Sequence, residues 1–336
     1  MTLTLSVLDQ SPVRQGGTMD QAVAETIALA KATDRLGYHR YWVAEHHNTR
    51  SFASSTPEVL MARLAAETDR IRIGSGGVMM THYSPLKVAE NFRMLEALAP
   101  GRIDLGIGRA PGGDAKTTAA LQAGPQKFSL DAYPAQVRLC LEYMADSLGP
   151  EHPLHGIYAN PAGSGLPQTW MLGSSISSAH IAAVMGLPFS YAHFIEAQGG
   201  PDAMASYRMH FEPSAYCTEP KGSLGVFVLA CEDEETAQRE ALTRNHWVLN
   251  FLKGQGGPFP SPQEAAKAQY SPQDLEMLKA IEQRGIVGTP DQVKAGLEAL
   301  AGEYGVDELI LVTITYDFET RLKSYELLAR EFGIGA

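Results

Sequence analysis

Four short stretches carry residue types that can do chemistry. Glu45-His46-His47 follows the apolar run Tyr41-Trp42-Val43-Ala44, so an imidazole that titrates near neutrality can stand at a strand end and exchange a proton or hydrogen-bond to a reactant. Paired histidines suggest a metal, but neighbours on a strand point to opposite faces, and no His-x-His or His-Glu-x-x-His occurs elsewhere to complete a ligand set. No metal site is expected. Gly173-Ser174-Ser175-Ile176-Ser177-Ser178 stands between an apolar run and a helix, where free N–H groups, the positive helix end and hydroxyls can meet a phosphate. An ordinary serine N-cap explains the same residues, and both readings stay open. Arg109 supports the phosphate, because a guanidinium grips two phosphate oxygens at once, although a plain surface arginine fits equally. Finally, Gly74-Ser75-Gly76-Gly77 lets backbone approach a flat ligand.

These stretches need elements to position them, and the periodicities supply a repeating strand and helix. Leu3, Leu5 and Val7 mark a first strand that ends at Asp9. A helix capped by Thr18 with Val23, Ile27 and Ala30 on its buried stripe stops at Gly37, before the strand that leads to His46. Thr56-Pro57 opens the next helix, Ile71 and Ile73 lead into the glycines, and Ser84-Pro85 starts a helix carrying Val88, Phe92, Leu95 and Leu98. Ile103, Leu105 and Ile107 then alternate with Asp104, Gly106 and Gly108, which predicts a space beside that strand with Arg109 at its rim. Residues 110–130 lose the pattern and read as a long loop, a candidate lid. Further strands are expected at 169–172, 187–193, 224–230 and 309–312, with helices between them.

Eight strands alternating with helices predict a (β/α)8 TIM barrel, with a doubly wound open sheet as the alternative. The whole chain, 1–336, is expected to form one domain, with an insertion at about 253–288 that carries capped helices at Ser261-Pro262 and Ser271-Pro272. In such a barrel the site lies at the C-terminal strand ends, where Asp9, His46, Gly76-Gly77, Arg109, Ser174-Ser175 and His193 should converge.

Composition narrows the partners. A net charge of −11 argues against nucleic acid and anionic membrane surfaces, which are bound through Lys and Arg. No apolar run approaches the roughly 18 residues a membrane span needs, and three widely spaced cysteines with no signal peptide suggest a cytoplasmic protein. A small-molecule substrate is expected.

The chain resembles the bacterial luciferase-like monooxygenase family, most closely its single-subunit alkanal-monooxygenase-like branch. The likeness rests on residues 37–48 (GYHRYWVAEHHN), 74–79 (GSGGVM), 100–106 (PGRIDLG) and 108–112 (GRAPG), and on Leu172-Gly173-Ser174-Ser175 with Gly186-Leu187-Pro188. It implies a barrel that takes reduced FMN from a separate NAD(P)H:flavin reductase and uses oxygen, through a flavin hydroperoxide, to oxidise an aldehyde or similar compound. His46 matches the family's catalytic histidine. Gly76 and Gly77, with Val78, match a non-proline cis turn whose backbone lies against the flavin; Arg109, Ser174, Ser175 and Ser178, beside Gly173, match the phosphate site. Where the luciferases carry a glutamate this chain has Ser174, and Gly108 stands in place of their reactive cysteine, two departures that bear on the phosphate contact, on light emission and on aldehyde specificity. The resemblance also implies a homodimer, paired through the helix at 56–66. A deazaflavin-dependent oxidoreductase, or a flavin-binding protein without turnover, are the alternatives.

Overall fold

In a computed structural model, residues 3–110, 113–122, 130–163 and 165–335 are described. Among the described residues ten parallel strands are found: β1 Thr4–Asp9, β2 Arg40–Val43, β3 Arg72–Ser75, β4 Val78–Met79, β5 Ile103–Gly108, β6 Gln168–Gly173, β7 Phe189–Ala192, β8 Gly222–Ala230, β9 Gly285–Gly288 and β10 Glu308–Val312. Eight of them close a ring in the order β1, β2, β3, β5, β6, β7, β8, β10 and back to β1. This is the (β/α)8 barrel, with helices between the strands. Of the other two, β4 continues the wall beside β5 beyond Gly76-Gly77, and β9 lies along the C-terminal half of β8 where β10 has ended.

Strand alternation decides the layers. Leu5, Val7, Tyr41, Ile73, Leu105, Val226 and Leu311 point outward into the core beneath the helices. Leu8, Trp42, Trp170, Phe227, Ile310 and Val312 fill the interior, with Trp42 and Trp170 edge to face at 5.7 Å. Near the N-terminal strand ends the interior is ionic. Arg40 donates to Asp104 Oδ2 at 2.6 Å and to both carboxylate oxygens of Glu308, while Arg72 donates twice to Asp104 Oδ1 and Ser6 Oγ to Glu308 Oε1. Arg40 and Asp104 are wholly buried, so full pairing is what makes two such charges tolerable there.

Capping chemistry sets most helix starts. Thr18 and Gln21 form a reciprocal capping box at Met19–Arg35, and Ser271 with Asp274 does so at Pro272–Glu282. Thr56 and Ser84 stand at the N-cap position, yet neither side chain caps its helix; Pro57 and Pro85 at the first turn, lacking an N–H, leave one donor fewer to satisfy. Within the stretch expected as a loop, Asp114 caps a helix at Ala115–Leu121 by accepting from Thr117 N, so that part is regular; positions 111–112 and 123–129 of the expected lid lie outside the described residues. The strand β9 was not expected from the sequence.

One further expectation is narrowed. The space predicted beside β5 is largely filled: Trp42 and Asp104 occupy the place of a side chain at Gly74, Leu8 that at Gly76, Leu172 and the Gly106 carbonyl that at Gly77, and the Ser75 carbonyl that at Gly106. At Gly108, the strand end, a Cβ would meet nothing closer than 3.8 Å, so the space expected with Arg109 at its rim is confined to that end. On the helix Pro57–Glu67, Met61, Leu64 and Ala65 are buried against the barrel. The exposed apolar surface there is Val59, continued by Met94 and Leu98 of the helix Pro85–Leu98.

Candidate active site at the C-terminal barrel mouth

β2 ends at Val43, so Glu45, His46 and His47 lie just beyond the strand rather than on it. Their side chains still part company. The buried Glu45 carboxylate accepts from Met79 N at 2.9 Å, from Tyr83 Oη at 2.6 Å and faces His47 Nε2 at 2.7 Å, tying the loop to the backbone that follows Gly76-Gly77. Burial first and the Glu45 charge second raise the Tyr83 phenol far above its usual range, which keeps it a donor. His47 is thus anchored to Glu45. His46 instead stacks on Phe52, ring centres 4.3 Å apart, and its Nδ1 is shielded from solvent with no hydrogen-bond partner among the described residues. Burial, and secondarily the neighbouring His47, push its pKa down from 6.5 to about 4. That direction favours a neutral hydrogen-bonding ring at pH 7 over the titration near neutrality expected from the sequence.

The peptide between Gly76 and Gly77 is cis, as the resemblance implies, and Val78 is buried in β4 against Ile107. On the facing strands, Ser175 caps the helix Ile176–Val184: Ser178 N donates to Ser175 Oγ at 3.3 Å, and Ser178 Oγ to the Ser175 carbonyl at 2.7 Å. A side chain at Gly173 would collide with Ser178 Oγ, so this glycine serves the cap itself. The two hydroxyls expected to hold a phosphate are thus largely committed to the helix. Ser177, one of the hydroxyls of that stretch though not among those the resemblance assigns to the phosphate, is exposed and accepts from Arg109 Nη1 at 3.2 Å, while Ser174 is half-exposed. Its place two residues after the cap, on the outer side of the first turn, is the signal that marks it. The N–H groups of Ile176 and Ser177 donate to no described residue.

Asp9 and His193 do not join the mouth. Asp9 faces the helix layer, where it accepts from Tyr41 Oη at 2.6 Å, from Ser11 N and from Arg321 at 3.2 Å. His193 is buried with both nitrogens engaged: Nε2 reaches the Gln283 carbonyl at 3.2 Å and must donate, so Nδ1 accepts from Tyr304 Oη at 2.8 Å. On the opposite rim, the helix Glu234–Leu252 lays Trp247 against Phe52 and Phe259, and Trp247 Nε1 donates to the Gly257 carbonyl at 2.7 Å. An aromatic wall thus backs His46. Among the described residues no group of three or more His, Cys, Asp or Glu side chains could hold a metal ion, and no helix is long and apolar enough to cross a membrane.

A parallel (β/α)8 barrel whose orphaned imidazole, glycine turn and guanidinium gather at the C-terminal strand ends has the layout of a TIM-barrel enzyme. The chain belongs to the luciferase-like monooxygenase family, which its residues 1–308 match. It is 44% identical to the Bacillus subtilis (strain 168) protein YwcH, over 98% of this chain and 99% of that one, and 34% identical to the N-acetyl-S-alkylcysteine monooxygenase of the same organism, over 97% of each. Among solved structures, apo-MsnO8 is 40% identical, covers 99% of both chains and superposes with a TM-score of 0.91. The fold alone is shared with the oxygenating constituent of 3,6-diketocamphane monooxygenase from Pseudomonas putida in complex with FMN, at 19% identity, and with an F420-dependent secondary alcohol dehydrogenase, at 14%; their TM-scores are 0.73 and 0.71, each over 98% or more of both chains.

Proposed function

We propose that this protein is an FMN-dependent monooxygenase that oxidises a small organic substrate, an aldehyde or a similar compound, with reduced FMN delivered by a separate NAD(P)H:flavin reductase. The observation that carries this reading is Arg109 resting on Ser177 at a helix start whose first N–H groups are free, a setting that fits a terminal phosphate. Ser174 joins that end, and the capping by Ser175 and Ser178 holds it in shape. Gly76, Gly77 and Val78 would carry the ring system, reached from the open side at Gly108. Reduced FMN supplies the electrons with which oxygen is activated and one of its atoms transferred. His46 would offer Nδ1 or Nε2 as a neutral hydrogen-bond partner at the reacting edge, and the aromatic wall of Phe52 and Trp247 excludes water beside it.

The relatives named as monooxygenases and the FMN-bound structure of the same fold support this reading; the F420-dependent structure keeps hydride transfer without oxygen as its rival. The test is anaerobic titration with reduced FMN, then with a reduced deazaflavin, followed by an oxygen pulse. Tight binding of reduced FMN, with oxygen consumed in a protein-dependent, spectrally distinct phase, is expected. Binding of the deazaflavin alone, or oxidation of FMN at the rate seen without protein, would replace the proposal with one of its rivals.

A further inference from the structure

Deeply buried arginines in this protein meet carboxylates: Arg40 meets Asp104 and Glu308, Arg93 meets Asp146, and Arg321 meets Asp9. Arg244 is different. It is 4% exposed, yet among the described residues its guanidinium bonds only through Nη1, to Asn245 Oδ1 at 3.1 Å and the Ile281 carbonyl at 3.0 Å, both neutral, leaving Nε and Nη2 without acceptors. The nearest charge that acts on it is another cation, Arg284, which also lacks an ion pair among the described residues; burial first, and Arg284 second, push Arg244 down to about 9. A buried cation without a counter-charge is costly, and a chain with 38 acidic residues had no shortage of candidates to neutralise it.

Its position says what the missing charge belongs to. Ala237, Ala241, Arg244, Trp247 and Phe251 recur at helical spacing, and Ala237, Ala241 and Trp247 pack into the cluster that includes Phe52, Phe227 and Phe259. The Arg244 guanidinium lies 4.5 Å over the ring of Phe227, an interior barrel residue, while His46 stacks on Phe52 of the same cluster. Arg244 is therefore the charge on the helix face that packs against the aromatic cluster behind His46.

We propose that Arg244, backed by Arg284, is an anion subsite that fixes a carboxylate of the organic substrate, with the apolar remainder directed along Phe52 and Trp247 toward His46. This rests on the monooxygenase reading for the word substrate, but the subsite itself is open to test without turnover. The probes are hexanoate and its uncharged near-isostere hexanamide, titrated into the cofactor-free protein by calorimetry. Wild type should bind hexanoate about tenfold or more tightly than hexanamide, and Arg244→Met should bring the two within about twofold, with Arg244→Lys in between. Arg284→Gln should weaken hexanoate alone, by a smaller factor. Because methionine removes an unpaired charge, the melting temperature of cofactor-free Arg244→Met should equal or exceed that of wild type, whereas an arginine kept for its two hydrogen bonds would leave a less stable protein. Equal binding of both probes to wild type, or a destabilised Arg244→Met that still prefers hexanoate, overturns the proposal, as does a loss of FMN affinity in Arg244→Met, which would assign the cation to the cofactor. A protein that discriminates the probes but never consumes oxygen with reduced FMN keeps the subsite and loses the monooxygenase reading.

Discussion

His46 makes a stability prediction that does not depend on turnover. Its folded pKa of about 4 lies below the ordinary 6.5, so the unfolded chain binds a proton through this window that the native protein excludes. The sign follows: stability associated with the neutral imidazole is intact above pH 6.5 and is lost as pH falls toward 4. At 1.36 kcal/mol per pH unit, the loss should reach about 2 kcal/mol at pH 5 and about 3 kcal/mol at pH 4. His39, His193 and His246 are also lowered by burial, so the wild-type curve alone cannot isolate the term. The measurement is urea unfolding of wild type and His46→Asn from pH 7.5 to 4, read as the difference between them. The variant should be the less pH-sensitive by about that amount, and parallel curves would refute the environment described for this ring. A second consequence is kinetic: oxygen-coupled turnover should show no limb near pH 6.5 that His46→Asn removes, since the ring is already neutral there.

Arg109→Ala should weaken FMN by about 1 to 2 kcal/mol while sparing riboflavin, the modest figure reflecting a half-exposed, screened guanidinium; equal losses for both ligands, compared by fluorescence titration, would place its role in the fold. His46→Ala should keep FMN affinity within a few fold yet lose about 10²-fold or more in turnover, whereas His47→Ala should act through the Glu45 and Tyr83 contacts on stability. Arg40→Met should destabilise by about 3 to 5 kcal/mol in urea, because it strands Glu308 and part of the Asp104 charge in the interior. The protein should sediment as a dimer whose interface includes Val59 and Leu98, 71% and 63% exposed, and Leu98→Glu should shift it toward monomer; an unchanged dimer in that variant would move the interface elsewhere.

The barrel was legible because period-two alternation along strands such as Ile103, Leu105 and Ile107 is a local signal, and because pairs such as Thr18 with Gln21 and Ser271 with Asp274 mark helix starts within four residues. β9 was not, since only Ile286 and Val287 stand between its glycines, too few to establish a period; its pairing with β8 is a tertiary event. Asp9 shows the opposite error. It does sit at a strand end, but two residues after the outward-facing Val7 it must face the helices, and the alternation already contained that answer. Gly74, Gly76, Gly77 and Gly106 were visible as missing volume, yet whether missing volume becomes a cavity depends on Leu8, Trp42 and Leu172, which the sequence places far away. The place of His46 beyond β2 was legible, whereas the lowering of its proton affinity was not, because desolvation is a property of what packs around a ring.

The ionic layer of Arg40, Asp104 and Glu308 and the tryptophans above it have a further effect, on traffic. Together they pack the barrel interior toward its N-terminal end. On the proposed reading, spent cofactor, product and the next reactants would share the opposite mouth, and the order of their exchange would be a natural place for the slowest event of the cycle.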